Sequence, residues 1–339
     1  MKTQKRTVEF KADTRNLFFH ILTKCNLRCK HCYINPEQHG TQTLDEATIK
    51  SWLKLFIKSG DEAGKTNVIF LGGEPTLNPN LAAGIKFARS LGYGSITVDT
   101  NGYLFHDILN KVTPEDVDFF SFSLDGSSPE VNDPIRGKGV FDVCTKGIRE
   151  AKARGFYVSL IYTVSRMNIL DLKNMPALIS ELDIDRFFIQ VIGIRGNSAA
   201  HQQQAPLQLT KQEWQQVVPV VAHEVARQGI PVVYPKVFLE KEEEFKCAAI
   251  VADNYFVFPN GRVYKCPLCE DFPIHSFEIR DGLLKKRPPI TEMDLCQLDI
   301  PEGCVLNKIL QPGNIEYNPD GTPRHKIACC MLKEEVTNI

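Results

Sequence analysis

Cys25-Asn-Leu-Arg-Cys29-Lys-His-Cys32 sets three thiols on one short segment, in the spacing CxxxCxxC. Thiolates this close on a single loop can hold three irons of a cubane. The fourth iron would then have no protein ligand and stay open to a substrate or cofactor. Structural zinc is the other reading of the spacing, but zinc normally takes four closed ligands, typically from CxxC pairs. His31 lies inside the segment as a fourth donor, yet it directly precedes Cys32, and sharing a tetrahedron with it would strain the loop. Spacing alone leaves both metals open.

Further along, Gly72-Gly-Glu-Pro75 combines paired glycines, which let a backbone approach closely, with a carboxylate able to accept bonds from an ammonium. Its plain alternative is a tight turn closed by Pro75. Ser123-Leu-Asp-Gly126 precedes Asn132-Asp-Pro-Ile-Arg136-Gly137, where Arg136 has the fork geometry that suits a carboxylate or, equally, a surface ion pair. Asp125 reads as a substrate contact or as a turn cap. Thr100-Asn-Gly102 reads as a turn or a ligand contact, and Val191-Ile-Gly-Ile-Arg195 as strand core or a packing surface for a ligand. Cys144 sits in a helical pattern and reads as a core thiol.

These segments need a scaffold, and the chain alternates strand-like and helical runs from residue 17 to residue 234. Strands are expected at Leu17–Leu22, Asn67–Leu71, Ser95–Asp99, Phe119–Leu124, Tyr157–Val164 and Phe187–Ile192, all rich in β-branched and aromatic residues. Thr43 and Glu46 form a capping-box pattern before a helix carrying Ile49, Trp52, Leu53 and Phe56 on one face. Other helices are expected at Leu81–Leu91, near Ile108, at Val140–Arg154, Asp171–Leu182 and Lys211–Gln228. Strands alternating with helices predict an α/β fold with a parallel sheet. Each polar motif falls just after a strand, the edge where a β/α barrel builds its active site. The expected fold is therefore a partial (β/α)6 TIM-like barrel, with a doubly wound open sheet as the fallback.

From Pro235 the pattern changes. Glu240–Glu244 reads as a solvated helix end, and Tyr255–Phe258, Asn260-Gly261 and Arg262–Lys265 as a hairpin whose Asn-Gly supplies positive φ angles. A small, irregular, cysteine-rich domain over residues 235–339 follows the barrel domain of residues 1–234. It has little core of its own and calls for a metal staple.

The 339 residues are 43% hydrophobic and 24% charged with net charge −1, ordinary for a globular chain and unlike a nucleic-acid-binding one. Lys285-Lys286-Arg287 reads as a solvated loop. No apolar run reaches the ~18 to 20 residues of a membrane span, and Met1 to Lys11 lacks the apolar core of a signal peptide. The expected location is the cytoplasm, with neither membrane nor nucleic acid as partner. A reduced thiol pool there argues against disulfides among the eleven cysteines, whose clustering points to metal.

Taken together, the motifs resemble the radical S-adenosylmethionine (SAM) superfamily, strand by strand to about residue 195. The resemblance implies a [4Fe–4S] cluster on Cys25, Cys29 and Cys32. Gly72, Gly73 and Glu74 match the segment that holds the methionyl amino group of SAM. Ser123 and Arg136 match residues that contact its carboxylate, with Asp125 beside them, and Ile192 belongs to the stretch that packs on adenine. It further implies reductive cleavage of SAM to a 5′-deoxyadenosyl radical that takes a hydrogen atom from substrate, with a flavodoxin or ferredoxin as electron donor. Cys247, thirteen residues, Gly261, four residues and Cys266 match C-x(9–15)-G-x4-C, which opens the auxiliary-cluster extension of the SPASM and twitch subfamilies. Cys269, Cys296, Cys304, Cys329 and Cys330 follow without the full SPASM spacing, so at least one auxiliary [4Fe–4S] cluster is expected; zinc is the alternative. Adjacent Cys329 and Cys330 can hardly both ligate one cluster.

The substrate class implied is a small metabolite or a peptide. The first strand begins near residue 17 and nine residues follow Cys330, which leaves no room for the leader-recognition domain found in many peptide-modifying members. Two other classes stand against an enzyme: a non-catalytic iron–sulfur redox or electron-transfer protein, and a zinc-stabilised binding module. The first would not need Glu74, Ser123 and Arg136 beside the cysteines, and the second predicts stoichiometric zinc and no brown colour after anaerobic purification.

Overall fold

The computed structural model describes residues 2–339. Its strands in chain order are β1 (Thr3–Val8), β2 (Arg15–His20), β3 (Thr66–Leu71), β4 (Ser95–Thr100), β5 (Phe119–Ser123), β6 (Val158–Val164), β7 (Arg186–Val191), β8 (Val232–Pro235), β9 (Phe238–Leu239), β10 (Asp253–Val257), β11 (Arg262–Tyr264), β12 (Phe277–Arg280), β13 (Leu283–Lys286), β14 (Lys326–Ile327) and β15 (Lys333–Asn338). Thirteen form one sheet in the order β1-β15-β8-β7-β6-β5-β4-β3-β2-β10-β11-β12-β13. The run from β8 to β10 is parallel throughout, and the flanks are antiparallel. This is the partial barrel expected from the sequence, with all six expected strands in place.

Alternation along each strand decides what faces where. Leu17 and Phe19, Val68 and Phe70, Ile96 and Val98, Phe120 and Phe122, Leu160 and Tyr162, and Phe187 and Ile189 are all fully buried. The intervening set, including Asp99, Ser123, Ile161, Thr163 and Gln190, lines a cavity.

Helices flank the strands much as expected. The helix Glu46–Phe56 buries Ile49, Trp52, Leu53 and Phe56, but its cap is Asp45, whose side chain accepts from Thr48 N, rather than Thr43. Aspartate one residue before the first turn offers the same acceptor without a longer reach. The last barrel helix, Lys211–Arg227, has a full capping box from Thr210 and Glu213. Residues 240–244 form a turn, not a helix end.

The division expected at residue 234 is crossed by the sheet on both edges. β10 adds parallel to β2, with Arg15 paired to Asp253 at 2.8 Å and Phe18 stacked on Phe256 at 4.4 Å. At the other edge β15 adds antiparallel to β8, and β1 to β15. The cysteine-rich third is thereby built onto the barrel rather than hung from it.

Candidate active site

The residues singled out around the first cysteine motif converge. Cys25, Cys29 and Cys32 line a cavity of about 300 Å³ together with Gly72, Gly73, Glu74, Thr100, Asn101, Ser123 and Arg136. The loop following β2 carries the cysteines, and the turn following β3 carries the glycines. A Cβ on Gly73 would lie 2.3 Å from Lys24 O, and one on Gly72 would lie 2.5 Å from Leu22 O. Only glycine lets these loops touch, through Gly73 N→Leu22 O at 3.2 Å and Glu74 N→Lys24 O at 3.1 Å.

Glu74 is buried and already accepts four bonds. Oε1 takes Thr76 N at 3.1 Å, Thr76 Oγ1 at 2.6 Å and Thr100 Oγ1 at 2.8 Å, and Oε2 takes Asn101 N at 2.7 Å. Burial nevertheless pushes its pKa up, with those donors opposing. The carboxylate thus orders the β3 and β4 loops, and Oε2, accepting one bond, keeps lone-pair capacity.

Asp125 does not line the cavity. It is fully buried, accepts from Thr163 N at 2.7 Å, and pairs with Arg136 Nε at 2.5 Å and His31 Nε2 at 3.2 Å. Its expected place as a cofactor contact is corrected: it holds Arg136 and His31, which do line the cavity. The same pairing turns His31 Nε2 away from a shared tetrahedron with the cysteines. Ile192 is corrected as well. It is 2% exposed and lines a separate crevice with Trp214 and Phe238, whereas its neighbour Val191 lines both that crevice and the cavity.

Burial pushes the Cys25 thiol up to about 11 and Cys29 to about 12, and it raises Cys32. Arg136 opposes the shift at Cys29 and Cys32. Metal binding must therefore displace protons, which soft iron does readily from thiols. Leu27 N donates to Cys25 Sγ at 3.3 Å and Asn101 Nδ2 approaches it at 3.8 Å, donors suited to a cluster thiolate. Among the described residues no group of three His, Cys, Asp or Glu side chains converges on a point as for a single ion. Three thiols spread around a polar cavity fit a polynuclear cluster with one face open.

Sequence reasoning gave no role to Asp99, which faces the same cavity. Burial pushes its carboxyl up to about 7, against a bond from Ser121. A lone acid at an alternate position of an apolar strand was the signal that could have found it.

The second cysteine group also assembles. Cys247, Cys266, Cys296, Cys304, Cys329 and Cys330 line one small cavity of about 10 Å³, walled by Phe245, Leu268, Val305, Leu306 and Met331. Cys269 joins through Cys266. Cys266 and Cys329 are held low by neighbouring thiols, Cys269 and Cys296 for the one, Cys247 and Cys330 for the other. All seven thiols share one neighbourhood, a donor set that suits iron–sulfur ligation. Cys144 is apart from both groups and fully buried.

Residues 20–178 match the Radical SAM superfamily. In sequence, the chain is 25% identical over 259 residues to the Fe-coproporphyrin III synthase of Methanosarcina barkeri, covering 75% of this chain and 59% of that protein. In fold it is similar to SuiB of Streptococcus suis bound to its precursor peptide SuiA, with TM-score 0.61, 14% identity, and coverage of 76% and 60%. It is also similar to anSMEcpe with bound AdoMet, with TM-score 0.59, 16% identity, and coverage of 79% and 78%. The chain spans between 45% and 59% of the length of the first curated relatives it matches. No helix among the described residues is long and apolar enough to cross a membrane.

Proposed function

We propose that this chain is a radical SAM enzyme of the SPASM or twitch type, acting in the cytoplasm on a peptide or a small metabolite. The observation that carries the proposal is the convergence of Cys25, Cys29, Cys32, Gly72, Gly73, Glu74, Ser123 and Arg136 on one cavity. When bound, a [4Fe–4S] cluster with one open iron supplies the electron that breaks the sulfonium bond of SAM and releases a hydrogen-abstracting 5′-deoxyadenosyl radical.

The chain's own residues would bind and orient. Cys25, Cys29 and Cys32 hold the cluster, and Gly72 and Gly73 keep the cysteine loop against the β3 turn. Arg136, fixed through Nε by Asp125, has its remaining donors for a carboxylate. Ser123 offers a hydroxyl, Glu74 Oε2 a lone pair, and Val191 an apolar wall. At the second group, up to four of Cys247, Cys266, Cys269, Cys296, Cys304, Cys329 and Cys330 would hold an auxiliary [4Fe–4S] cluster. A flavodoxin or ferredoxin would deliver electrons. The fold likeness to a peptide-bound protein supports a peptide substrate.

Anaerobically reconstituted protein should form 5′-deoxyadenosine when reductant and SAM are added, and Cys29→Ala should form none. A reconstituted, SAM-binding parent that forms none even with candidate peptides present would count against the proposal.

A further inference from the structure

The loop after β7 lies between the two cysteine groups and touches both. On one side Asn197 N donates to Cys32 O at 2.8 Å, and Asn197 Nδ2 to Cys29 O at 3.4 Å. Gly196, with φ +55°, presses so closely that a Cβ there would lie 2.7 Å from Cys32 O and from Tyr33 O. On the other side Gly196 N donates to Asp271 Oδ2 at 2.8 Å. Arg195 Nη1 donates to Pro267 O and pairs with Glu270, both within or beside the Cys266–Cys269 turn.

Arg195 closes the gap between these sides. Its guanidinium lies over the Tyr33 ring, 4.8 Å from the centroid, and Tyr33 is the residue after Cys32. Pro267 is the residue after Cys266. A continuous chain of contacts therefore runs Cys32, Tyr33 ring, Arg195 plane, Pro267 carbonyl, Cys266, with one stacking contact and one hydrogen bond as its non-covalent steps. On one side Tyr33 and Arg195 also line the first cavity. Tyr33 OH bonds His20 Nε2 at 2.8 Å, and the His20, Phe258 and His39 rings stack at 4.1 and 4.0 Å beside it. Burying a guanidinium is costly unless it is paired and stacked. Here both conditions are met by groups belonging to the two cysteine loops.

We propose that Arg195, stacked on Tyr33 and bonded to Pro267 O, is the positioning residue that couples the two cysteine groups for electron exchange. The inference rests on the reading that both groups hold clusters. The step is a one-electron exchange: one cluster is oxidised as the other is reduced, with no bond made or broken.

The test uses protein loaded with both clusters and EPR on frozen samples. One equivalent of titanium(III) citrate is added without SAM, and samples are frozen at increasing times. In a second arm, fully reduced protein freed of excess reductant is mixed with SAM. In the parent, the electron should redistribute between the two signals or, with SAM, the second-group signal should disappear along with a second equivalent of 5′-deoxyadenosine. Arg195→Met and Tyr33→Leu should lose this exchange, so that the second-group signal persists after SAM. Tyr33→Phe keeps the ring and should restore it. Arg195→Lys keeps the charge without the plane and should not, which separates stacking from misfolding when iron content is unchanged. Electron movement in neither arm of the parent, or unchanged exchange in Arg195→Met, would overturn the coupling. Failure of the underlying reading would appear differently, as one missing cluster signal.

Discussion

The two cysteine groups are built from the same ligand in opposite ways. Cys25, Cys29 and Cys32 come from one loop, are only half-buried, and open on a polar cavity of about 300 Å³. The seven C-terminal cysteines come from a hairpin, helix ends, turns and the segment before β15, and six of them enclose about 10 Å³ between apolar walls. The first group has fewer thiols than a cubane has irons, and a cavity where the missing ligand would sit. The second has thiols to spare and no room beside them. An open position next to a polar pocket suits chemistry on a bound molecule, whereas a closed, over-supplied site suits stability and electron storage.

The sharpest way to break that contrast is to delete one thiol from each group. Cys29→Ala should abolish 5′-deoxyadenosine formation and leave second-group iron in place. Cys266→Ala should lose that iron while the first cluster stays. Iron analysis with EPR reads both, and a common loss would mean the groups form one site.

Asp125→Ala tests whether the polar cavity is held by buried charge. It strands Arg136, itself 7% exposed, without its partner. Denaturant unfolding should show a loss of about 3–5 kcal/mol, together with weaker SAM binding by calorimetry.

Asp99 gives the first cavity a pH dependence of its own. Its folded pKa of about 7 lies above its ordinary 3.8 because burial disfavours the charge. The folded state therefore holds the proton longer, and stability falls as pH rises from about 4 to about 7, then levels. Asp99→Asn should remove this loss, worth at most about 4 kcal/mol for a fully buried acid and less where a cavity admits solvent. Melting temperatures at pH 5 and pH 8 read it: the variant should gain more on the parent at pH 8 than at pH 5.

The smallest effect concerns the join between the two regions. His20 is held neutral by burial, its pKa pushed down to about 3, while bonding Val257 O and Tyr33 OH. The unfolded chain takes up that proton first, so the stability His20 confers is present above about pH 6.5 and lost as pH falls toward 3. His20→Gln should cost about 1 kcal/mol at pH 7.5, and the gap should close at pH 5 in thermal melts.

Much of the first site was legible because its chemistry is local. The spacing of Cys25, Cys29 and Cys32, the glycines of 72–73 and the strands that carry them are short-range patterns of residue type and periodicity. Face and partner are not. Asp125 was ambiguous because its partners, Arg136, His31 and Thr163, lie on three other segments. Val191 reaches the first cavity where Ile192 does not, and Asp45 took the cap that Thr43 also offered. The sequence also marked the second group as metal-binding by cysteine count, but not as one neighbourhood.

By itself, then, the sequence determined the alternating α/β order, the three-thiol loop and the motifs that follow each strand, since each depends on residues near one another in the chain. Tertiary structure alone decided that β10 and β15 extend the barrel sheet at both edges, that six distant thiols line one cavity with Cys269 beside them, and that Arg195 lies between Tyr33 and Pro267. Those outcomes depend on which surfaces meet across more than a hundred residues, and burial and pairing energies choose among meetings that local patterns leave equal.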